Sequence, residues 1–480
     1  MAKSQALPLP AQLWTADSID LTRHEHQGKL LNREDGVALG KQQRKIVARS
    51  QLAQLSQRPQ GITAQQVYQW SNLGRLESLK PVRAKRMSVS PFAFFRGMPS
   101  LMLYDLAWES CHSGLFQQIC GDCHLLNFGG FASPERNLLF GINDFDETLR
   151  APFEWDLKRL ATSLIIAANE IKQADSVGVT AVQVMLDAYR QHLLEMMDLS
   201  PLQIWYEKVD AQDLLQNTGD AGVRKKRKKT LESAQHRTTH SILPKLTEKD
   251  PQSGQRRFID EPPLLRHPSA GEPFATQSLA FFQQYRDSLK YDRQVLFDRY
   301  RLTDTALKVV GVGSVGTRAA IALFEDGDRE PLILQMKEAN PSILAPLLEK
   351  TAHEGERVIR GQQLMQAASD IFLGFASTSD QPEHFYVRQL RDMKVSVDLE
   401  AMDDVYLYEY AESCGMALAH AHGKAGNADV LMGYLGEGKV MTEVLQDYAV
   451  AYATRNAADY ALFMQAISKG KIEVAGDEVL

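Results

Sequence analysis

The chain has 480 residues, of which 44% are hydrophobic and 24% are charged, and its formal net charge is −6. This length and composition predict a globular protein of roughly two to four domains or subdomains. The acidic balance argues against a dedicated nucleic-acid-binding protein, and no stretch is apolar over the roughly 18 residues that a membrane span needs. The N-terminal sequence MAKSQALPLPAQLW lacks the apolar region of a secretory signal, so we expect a cytoplasmic protein with reduced cysteines.

The first elements predicted along the chain are helical. Residues 1–80 are mostly polar, and apolar positions at helical spacing in KQQRKIVARSQLAQLSQ predict an N-terminal helical extension that forms an accessory layer. Residues 81–200 begin with arginine- and aromatic-rich sequence and continue into CGDCHLLNFGGF, residues 120–131. After it, NLLFGINDFDET predicts an apolar strand that ends at Asp144 and Asp146, and APFEWDLKRLATSLIIAANEI predicts a long amphipathic helix.

The second half of the chain begins with an irregular region. Residues 201–275 hold the basic run RKKRKK (224–229) and several Pro and Gly breakers, which predict a basic, partly mobile insertion. We expect the run to be either a solvated loop or a phosphate-binding segment, poorly ordered without ligand because its like charges repel. Within residues 276–398, alternating residues around GVGSVG and the turn Asp326-Gly327-Asp328 predict strand, Gly loop, strand, turn and strand. A helix in HEGERVIRGQQLMQAASDIFLG, a strand in HFYVRQL and a helical region over 399–480 follow.

The stretch CGDCHLLNFGGF has two incompatible interpretations. Cys120, Cys123 and His124 form C-x-x-C-H, the pattern that attaches a c-type haem, although the chain shows no export signal. The cysteines could also join Cys111 and His112 in a zinc site, but their spacing matches no standard finger, and ordinary buried or half-buried thiols are the simpler interpretation. In the other interpretation, Asp122 and Asn127 have the spacing of the base and the magnesium-binding Asn of a kinase catalytic loop.

Each part that phosphoryl transfer requires has a candidate in this sequence. Such a reaction needs a base near the acceptor hydroxyl, oxygen ligands for magnesium, backbone N–H groups over the phosphates and a lysine on the phosphates. The candidates are Asp122 as base; Asn127, Asp144 and Asp146 as metal ligands; Gly311, Gly313, Ser314 and Gly316 as the phosphate loop; and Lys337 as the lysine. We expect Lys337 and Asp144 to face each other across one cleft.

The sequence around the Gly loop favours a kinase-like arrangement over a dinucleotide-binding one. A Rossmann dehydrogenase would need a helix directly after Gly316, whereas TRAAIALFED alternates and leads to a hairpin turn. Lys337, at the end of an apolar strand, needs a carboxylate partner, and Glu356 is the first candidate with Glu354 as the alternative. We expect His124 to be a structural histidine and Asp156 to anchor the loop that carries Asp122.

Six motifs resemble those of the bacterial family catalogued as domain of unknown function 2252: RMSVSPFAFFRG, GDCHLLNFGGF, NDFDET, FEWDLKRLATS, VGVGSVGTR and ERVIRGQQLMQAASD. The resemblance covers the chain from about residue 20 onward. That family is similar in its site motifs to protein-kinase-like enzymes, especially aminoglycoside and choline phosphotransferases, whose loop reads H-G-D-x-H-x-x-N before an I-D-[WF] metal strand. Cys120 replaces the first His of that loop.

The resemblance implies an α+β, two-lobed, protein-kinase-like fold with circularly permuted motif order, because the base and metal strand precede the Gly loop and lysine. Residues 81–200 would then hold the catalytic loop and metal strand of the large lobe, and 276–398 the Gly-loop and lysine small lobe. The helices of 399–480 would complete the large lobe, with ALAHAHGKAG (417–426) in the helix that usually leads into the catalytic loop.

The expected function is ATP- and Mg²⁺-dependent phosphoryl transfer to an unidentified hydroxyl, on a small molecule or a protein. Two alternatives remain open at this point. The same residue types serve AMP transfer, and a non-catalytic nucleotide-binding scaffold could keep both lobes. We expect no specific nucleic acid or membrane partner, and the sequence does not decide the oligomeric state.

Overall fold

The structure is a computed structural model that describes residues 7–15, 17–235, 239–251, 254–262, 264–269, 274, 278–309, 313–378, 383–390 and 397–476. The helices are α1 (Arg33–Ile46), α2 (Ala64–Ser71), α3 (Lys80–Met87), α4 (Pro91–Gly97), α5 (Pro99–Ala107), α6 (Glu154–Glu170), α7 (Asp175–Met196), α8 (Pro201–Tyr206), α9 (Ala211–Gln216), α10 (Ala221–Gln235), α11 (Thr239–Leu246), α12 (Ser278–Ser288), α13 (Tyr291–Phe297), α14 (Glu354–Met365), α15 (Asp404–Ala425), α16 (Ala428–Leu435) and α17 (Lys439–Ser468). The strands are β1 (Ile19–Asp20), β2 (Glu25–His26), β3 (Lys29–Leu30), β4 (Leu115–Ile119), β5 (Phe128–Ala132), β6 (Leu138–Ile142), β7 (Leu149–Pro152), β8 (Thr247–Lys249), β9 (Arg256–Phe258), β10 (Leu265–Arg266), β11 (Arg301–Lys308), β12 (Ala319–Glu325), β13 (Pro331–Glu338), β14 (Gly374–Ser377) and β15 (His384–Gln389).

The fold is α+β, and its largest sheet has six strands in the order β10-β11-β12-β13-β15-β14, all antiparallel to their neighbours. The alternation around the Gly loop predicted β11, β12 and β13 correctly. The turn between β12 and β13 forms because the Asp326 carboxylate accepts the backbone N–H groups of Asp328 and Glu330, both at 2.9 Å. This meander places Lys337 near the end of its third strand.

A helical body packs beside the sheet around one large hydrophobic core. Its long helices include α6, α7, α15 and α17, and α15 lies along α7 over most of its length. The backbones of α15 and α7 approach closely at Gly415, where a Cβ would lie 2.1 Å from the Met185 carbonyl oxygen. Among the helices that the structure describes, none is long and apolar enough to cross a membrane.

The N-terminal segment is part of this core. Leu13, Leu39 and Leu52 are buried in it, and β1 pairs in parallel with β4, the strand that leads into the 120–127 loop. Residues 1–80 contain α1 and α2, as the helical spacing indicated, and also the short strands β1 to β3. The segment is therefore built into the core, and the expectation of an outer accessory layer is wrong.

The basic run RKKRKK lies in helix α10, so the solvated-loop interpretation is wrong. Asp220 starts this helix by accepting the backbone N–H of Val223 at 2.9 Å. Successive residues then point in different directions around the helix, so Lys225 and Lys228 are exposed while Arg227 donates to the Glu409 carbonyl and the Ser413 hydroxyl of α15.

Other parts of the 201–275 region also pack onto the fold. Leu243 and Leu246 of α11, with Phe258 and Leu265, form a hydrophobic cluster against β11, β12 and β13. This region therefore covers one face of the six-stranded sheet. The rest of the predicted mobile insertion, residues 236–238, 252–253, 263, 270–273 and 275, lies outside the described residues.

Candidate functional site

A large cavity lies where the six-stranded sheet meets the 120–127 loop and the segment after β6. Its volume is about 1170 Å³, which is somewhat above the range for small-molecule pockets, roughly 300–1,000 Å³. Of the residues singled out from the sequence, those that line it are Asp122, His124, Asn127, Asp144, Asp146, Gly313, Ser314 and Lys337. Residues from distant parts of the chain thus border one space.

Lys337 and the two aspartates after β6 meet at the floor of this cavity. The Lys337 Nζ lies 2.7 Å from Asp146 Oδ2 and 3.6 Å from Asp144 Oδ1. The register of β13 against β15 sets Tyr386 beside Lys337, and the Tyr386 hydroxyl donates to Asp146 Oδ1 at 2.6 Å. The Lys337 side chain is only 4% exposed, so the charge of its ammonium is balanced by these carboxylates rather than by water.

The protonation states at the floor follow from burial and these contacts. Burial by itself would raise the pKa of the Asp146 carboxyl, but Lys337 and Tyr386 together hold that pKa well below its usual range. Burial by itself would lower the pKa of Lys337, and the charges of Asp144 and Asp146 raise it above its usual value instead. Lys337 and Asp146 are therefore both charged at neutral pH.

The predicted pairing of Lys337 with Glu356 is wrong, and Glu354 does not replace it. Glu356 pairs with Arg360 one turn along α14 at 2.6 Å, and Glu354 accepts from Arg357 at 2.5 Å. Arg357 of α14 instead holds the turn after β6, where it donates to the carbonyls of Thr148 and Asp146 at 2.5 and 3.0 Å. The turn after β6 comes close enough to Lys337 to supply its carboxylate, so no glutamate of α14 is needed.

The 120–127 loop is held from behind by Asp156 of α6. Its carboxylate, expected to anchor this loop, accepts the backbone N–H groups of Cys120 at 2.7 Å and Gly121 at 2.9 Å, and His422 Nε2 lies 3.3 Å from it. Gly121 has φ +79, and a Cβ there would lie 2.2 Å from the Glu147 carbonyl oxygen. Only glycine fits this bend, which fixes where the following Asp122 lies.

Asp122 is a mostly buried carboxylate beside an arginine. Its side chain is 19% exposed, and Arg159 Nε donates to its Oδ1 at 2.7 Å. Burial raises the pKa of Asp122 to about 7, although the neighbouring Arg159 lowers it. An acid with a pKa near neutrality that borders a cavity has the property expected of a general base.

Asn127 and His124 complete the loop. Asn127 Nδ2 donates to the Asp122 carbonyl at 2.7 Å, which turns its Oδ1 away from the backbone of the loop. His124 is buried, and burial together with the charges of Arg96 and Arg159 lowers its pKa well below the usual value. His124 is therefore a neutral histidine at the cavity wall.

Two of the three residues expected to bind magnesium are suitably placed to do so. Asn127 and Asp144 both border the cavity, and Mg²⁺ typically takes one or two carboxylates together with phosphate oxygens and water. Asp146, expected as a third ligand, has its oxygens occupied by Lys337, Tyr386 and the Ser314 hydroxyl, the last at 3.2 Å. Within the described ranges, no three His, Cys, Asp or Glu residues group closely enough to hold a metal alone.

The Gly loop rests on the N-terminal part of the chain. Gly311 lies outside the described residues, whereas Gly313, Ser314 and Gly316 are described. Arg75 Nη1 donates to the Val315 carbonyl at 2.5 Å, and the Gly316 carbonyl accepts the Leu76 N–H at 2.8 Å. Strand β12 begins three residues after Gly316, so the helix that a Rossmann dehydrogenase requires there is absent from this described stretch.

The two cysteines of CGDCHLLNFGGF lie in the hydrophobic core. Cys120, Cys123 and Cys414 are buried free thiols, and Cys111 is half-buried. Burial raises the pKa of Cys123 well above its usual value, so its thiol stays protonated at neutral pH. This environment agrees with the ordinary-thiol interpretation.

The family of uncharacterised proteins conserved in bacteria (DUF2252) matches residues 75–466, most of the chain and all of the site described above. The chain belongs to this family. Searches of curated proteins and of solved structures found no match. The geometry of the site in this DUF2252 protein is therefore the basis for proposing a function.

Several polar residues of this DUF2252 site were missed in the sequence. Arg159 has a signal in hindsight, because it follows Asp156 by three residues and so lies on the same face of α6. Tyr386 and Arg357 have none, since their contacts with the turn after β6 depend on strand register and helix placement. The same holds for Arg388, whose guanidinium carbon lies 5.8 Å from the centre of the Tyr386 ring, and for Arg96, which also borders the cavity.

Proposed function

We propose that this protein is an ATP- and Mg²⁺-dependent phosphotransferase of protein-kinase-like type, with its motifs in circularly permuted order. The observation that carries the proposal is the convergence of Asp122, Asp144 and Lys337 on one cavity, with Lys337 Nζ 3.6 Å from Asp144 Oδ1. A lysine, a metal-binding carboxylate and a base around one space are the parts that phosphoryl transfer uses. A buried ammonium beside exposed carboxylate oxygens suits a polyphosphate with its metal ion.

The order of elements around Lys337 supports this proposal. The lysine lies on the third strand of a meander whose first connection is the Gly loop, and helix α14 follows it. This is the order of Gly loop, β3 lysine and helix C in kinases. Here that unit follows the base and the metal strand in sequence, which is why we propose a permuted order.

The roles of the site residues follow from their positions. Asn127 and Asp144 would hold Mg²⁺, which would draw the phosphates to the floor and neutralise charge there. Lys337 would leave Asp146 for a phosphate oxygen, and the backbone of 313–316 would cover the phosphates. Asp122, positioned by Arg159, would accept the proton of the attacking hydroxyl.

The cavity lining also offers apolar surface for the adenine ring. Apolar side chains of the 239–266 region and of residues directly after two strands of the sheet border the cavity. These side chains are Ile242, Leu246, Leu265, Val309 and Leu390. A flat apolar ring and a charged polyphosphate would thus each meet surfaces of matching character.

Labelled ATP tests the proposal directly. The purified protein is incubated with Mg²⁺ and a metabolite extract in two parallel reactions, one with γ-labelled ATP and one with α-labelled ATP. The products are analysed by mass spectrometry, and self-modification of the protein is checked first. Transfer of the γ label alone supports phosphoryl transfer, whereas transfer of the α label identifies AMP transfer. ATP binding with neither transfer would leave a nucleotide-binding scaffold. Asp122→Asn is the control that should keep binding and lose transfer.

A further inference from the structure

Arg96 borders the cavity near Asp122, and its backbone carbonyl oxygen would lie 3.3 Å from a Cβ at Gly313 of the Gly loop. It is near the C-terminal end of α4 and borders the cavity together with Asp122 and His124. The charge of Arg96 contributes to the lowered pKa of His124, and Asp122 is the carboxylate whose charge acts on Arg96. Lys337 is instead surrounded by Asp144, Asp146 and Tyr386. Arg96 and Lys337 are therefore two of the cationic residues on the cavity lining, and they lie among different neighbours.

Arg96 differs from Arg75 and Arg159 in that its side chain has no hydrogen-bond or ion-pair partner among the described residues. Arg159 donates to Asp122 and to the Phe95 carbonyl, and Arg75 donates to the carbonyls of Ser71 and Val315. Arg96 makes no hydrogen bond or ion pair with any described residue, and its Nε is buried without an acceptor. Its guanidinium carbon lies 5.9 Å from the centre of the Phe92 ring, against an apolar neighbour.

A guanidinium N–H that is buried without an acceptor, as the Arg96 Nε–H is, is unfavourable because it has lost water and no protein acceptor replaces it. Burial indeed lowers the pKa of Arg96. A ligand with an anionic group would remove this cost by accepting hydrogen bonds from the planar guanidinium, which matches phosphate and carboxylate geometry. The base side of the cavity is where an acceptor would lie if Asp122 takes the proton of its hydroxyl.

We propose that Arg96 forms an anion-binding subsite for the acceptor, so that the acceptor carries a phosphate or carboxylate group beside its reacting hydroxyl. This inference rests on the proposed phosphotransferase function. In the reaction, the acceptor oxygen bonds to the γ-phosphorus of ATP while the bond to the β,γ-bridging oxygen breaks. ADP leaves, and the hydroxyl proton passes to Asp122. Arg96 is a binding residue that orients the acceptor and takes no part in bond changes.

Calorimetric titration with five probes tests the subsite: glycerol 3-phosphate, malate, inorganic phosphate, neutral glycerol, and a non-hydrolysable ATP analogue with Mg²⁺. The wild-type protein should bind glycerol 3-phosphate, but not glycerol, while the nucleotide analogue is bound. Arg96→Gln should weaken glycerol 3-phosphate binding by about tenfold or more, the scale of a lost charged hydrogen bond. The same variant should leave the affinity for the analogue nearly unchanged, and Arg96→Lys should recover part of the loss. Arg360→Gln, which removes an exposed arginine outside the cavity, is the matched control.

The possible failures separate the two proposals. If Arg96→Gln weakens the ATP analogue instead, Arg96 belongs to the nucleotide site and the acceptor subsite is refuted. If wild type binds none of glycerol 3-phosphate, malate and inorganic phosphate beside the analogue, an anionic acceptor is likewise refuted. If Arg96-dependent anion binding persists in a protein that binds no nucleotide, the subsite stands and the phosphotransferase proposal fails.

Discussion

Lys337 and Asp146, 191 residues apart in the chain, form a partly buried ion pair with Nζ 2.7 Å from Oδ2. The pair joins the six-stranded sheet to the turn after β6, and Tyr386 and Ser314 donate to the same carboxylate. The pair therefore contributes to stability and occupies the position where we propose that phosphate binds. A nucleotide would have to replace Asp146 as the partner of Lys337.

Lys337→Met should weaken both folding and nucleotide binding. The substitution keeps most of the apolar stem but leaves the half-buried Asp146 carboxylate with only neutral donors, which we expect to cost about 1–3 kcal/mol in the free energy of unfolding. Urea unfolding followed by circular dichroism measures this change. Glu356→Gln is the control: it removes only a contact with the exposed Arg360, so its effect should stay within about 0.5 kcal/mol. A larger loss in Glu356→Gln than in Lys337→Met would contradict the pairing described here.

Asp144→Asn should separate metal binding from folding. Asp144 Oδ1 lies 3.6 Å from Lys337 Nζ, whereas Asp146 accepts hydrogen bonds from Lys337, Tyr386 and Ser314, so Asp144→Asn should change stability little while removing a magnesium ligand. ATP titrations with and without Mg²⁺ should show that the metal-dependent gain in affinity is largely lost. Asp146→Asn should instead lower the unfolding midpoint, since it breaks the contact with Lys337. Equal behaviour of the two variants would refute the division of roles.

The parts of the site that are local in sequence were predictable, and the contacts between them were not. Asp122 and Asn127 share one loop, and the alternation from β11 to β13 reflects a strand pattern that a short window contains. The prediction of Glu356 as the partner of Lys337 was wrong because it relied on nearness in sequence. The actual partner, Asp146, is brought to Lys337 by packing of the turn after β6 against β13 and β15. Sequence spacing carries no information about such distant placement.

The basic run RKKRKK also shows that contacts between distant elements cannot be predicted from local sequence. Repulsion among RKKRKK charges is a local argument, and it neglects the Asp220 cap and the acceptors that α15 presents to Arg227. The helix separates the charges around its axis and buries one of them in part. A pattern of residue types could not reveal that a neighbouring helix supplies a carbonyl and a hydroxyl.

Arg227→Ala should therefore destabilise the protein more than Lys228→Ala. Arg227 donates to the Glu409 carbonyl at 2.8 Å and to the hydroxyls of Ser413 and Thr218 at 3.0 and 2.9 Å. Removing these charged hydrogen bonds should cost about 1–3 kcal/mol, whereas the exposed Lys228 should cost less than about 0.5 kcal/mol. Thermal unfolding of the two variants makes the comparison. Equal melting temperatures would indicate that α10 does not depend on this contact.

Two glycines with the same backbone angle test the bend before Asp122. Gly28 and Gly121 both have φ +79, but a Cβ at Gly28 meets nothing within 4 Å, whereas one at Gly121 would lie 2.2 Å from Glu147 O. Gly28→Ala should cost only the left-handed backbone penalty of about 1–2 kcal/mol. Gly121→Ala should cost clearly more and should displace the 120–127 loop, with loss of transfer activity. Chemical denaturation of both variants measures the difference, and similar losses would show that the loop can move without strain.

The raised pKa of Asp122 predicts opposite pH effects on activity and stability. As the carboxyl loses its proton through a pH of about 7, its capacity as a base appears, so the rate of transfer should rise with pH through that range. For stability the direction reverses. Between roughly pH 4, where the carboxyl of the unfolded chain ionises, and pH 7, the unfolded state binds fewer protons than the folded state, so stability falls as pH rises.

Asp122→Asn removes both effects, because an amide does not titrate. Its unfolding free energy should gain on that of wild type as pH rises from about 4 to about 7, and its turnover should fall by roughly 10²-fold or more with no rise near neutrality. Asp156→Asn is not a suitable control, since it would disturb the loop itself, so Asp298→Asn at the protein surface serves instead. A wild-type stability profile parallel to that of Asp122→Asn over this range would show that Asp122 ionises normally, and a pH-independent rate would remove it as the base.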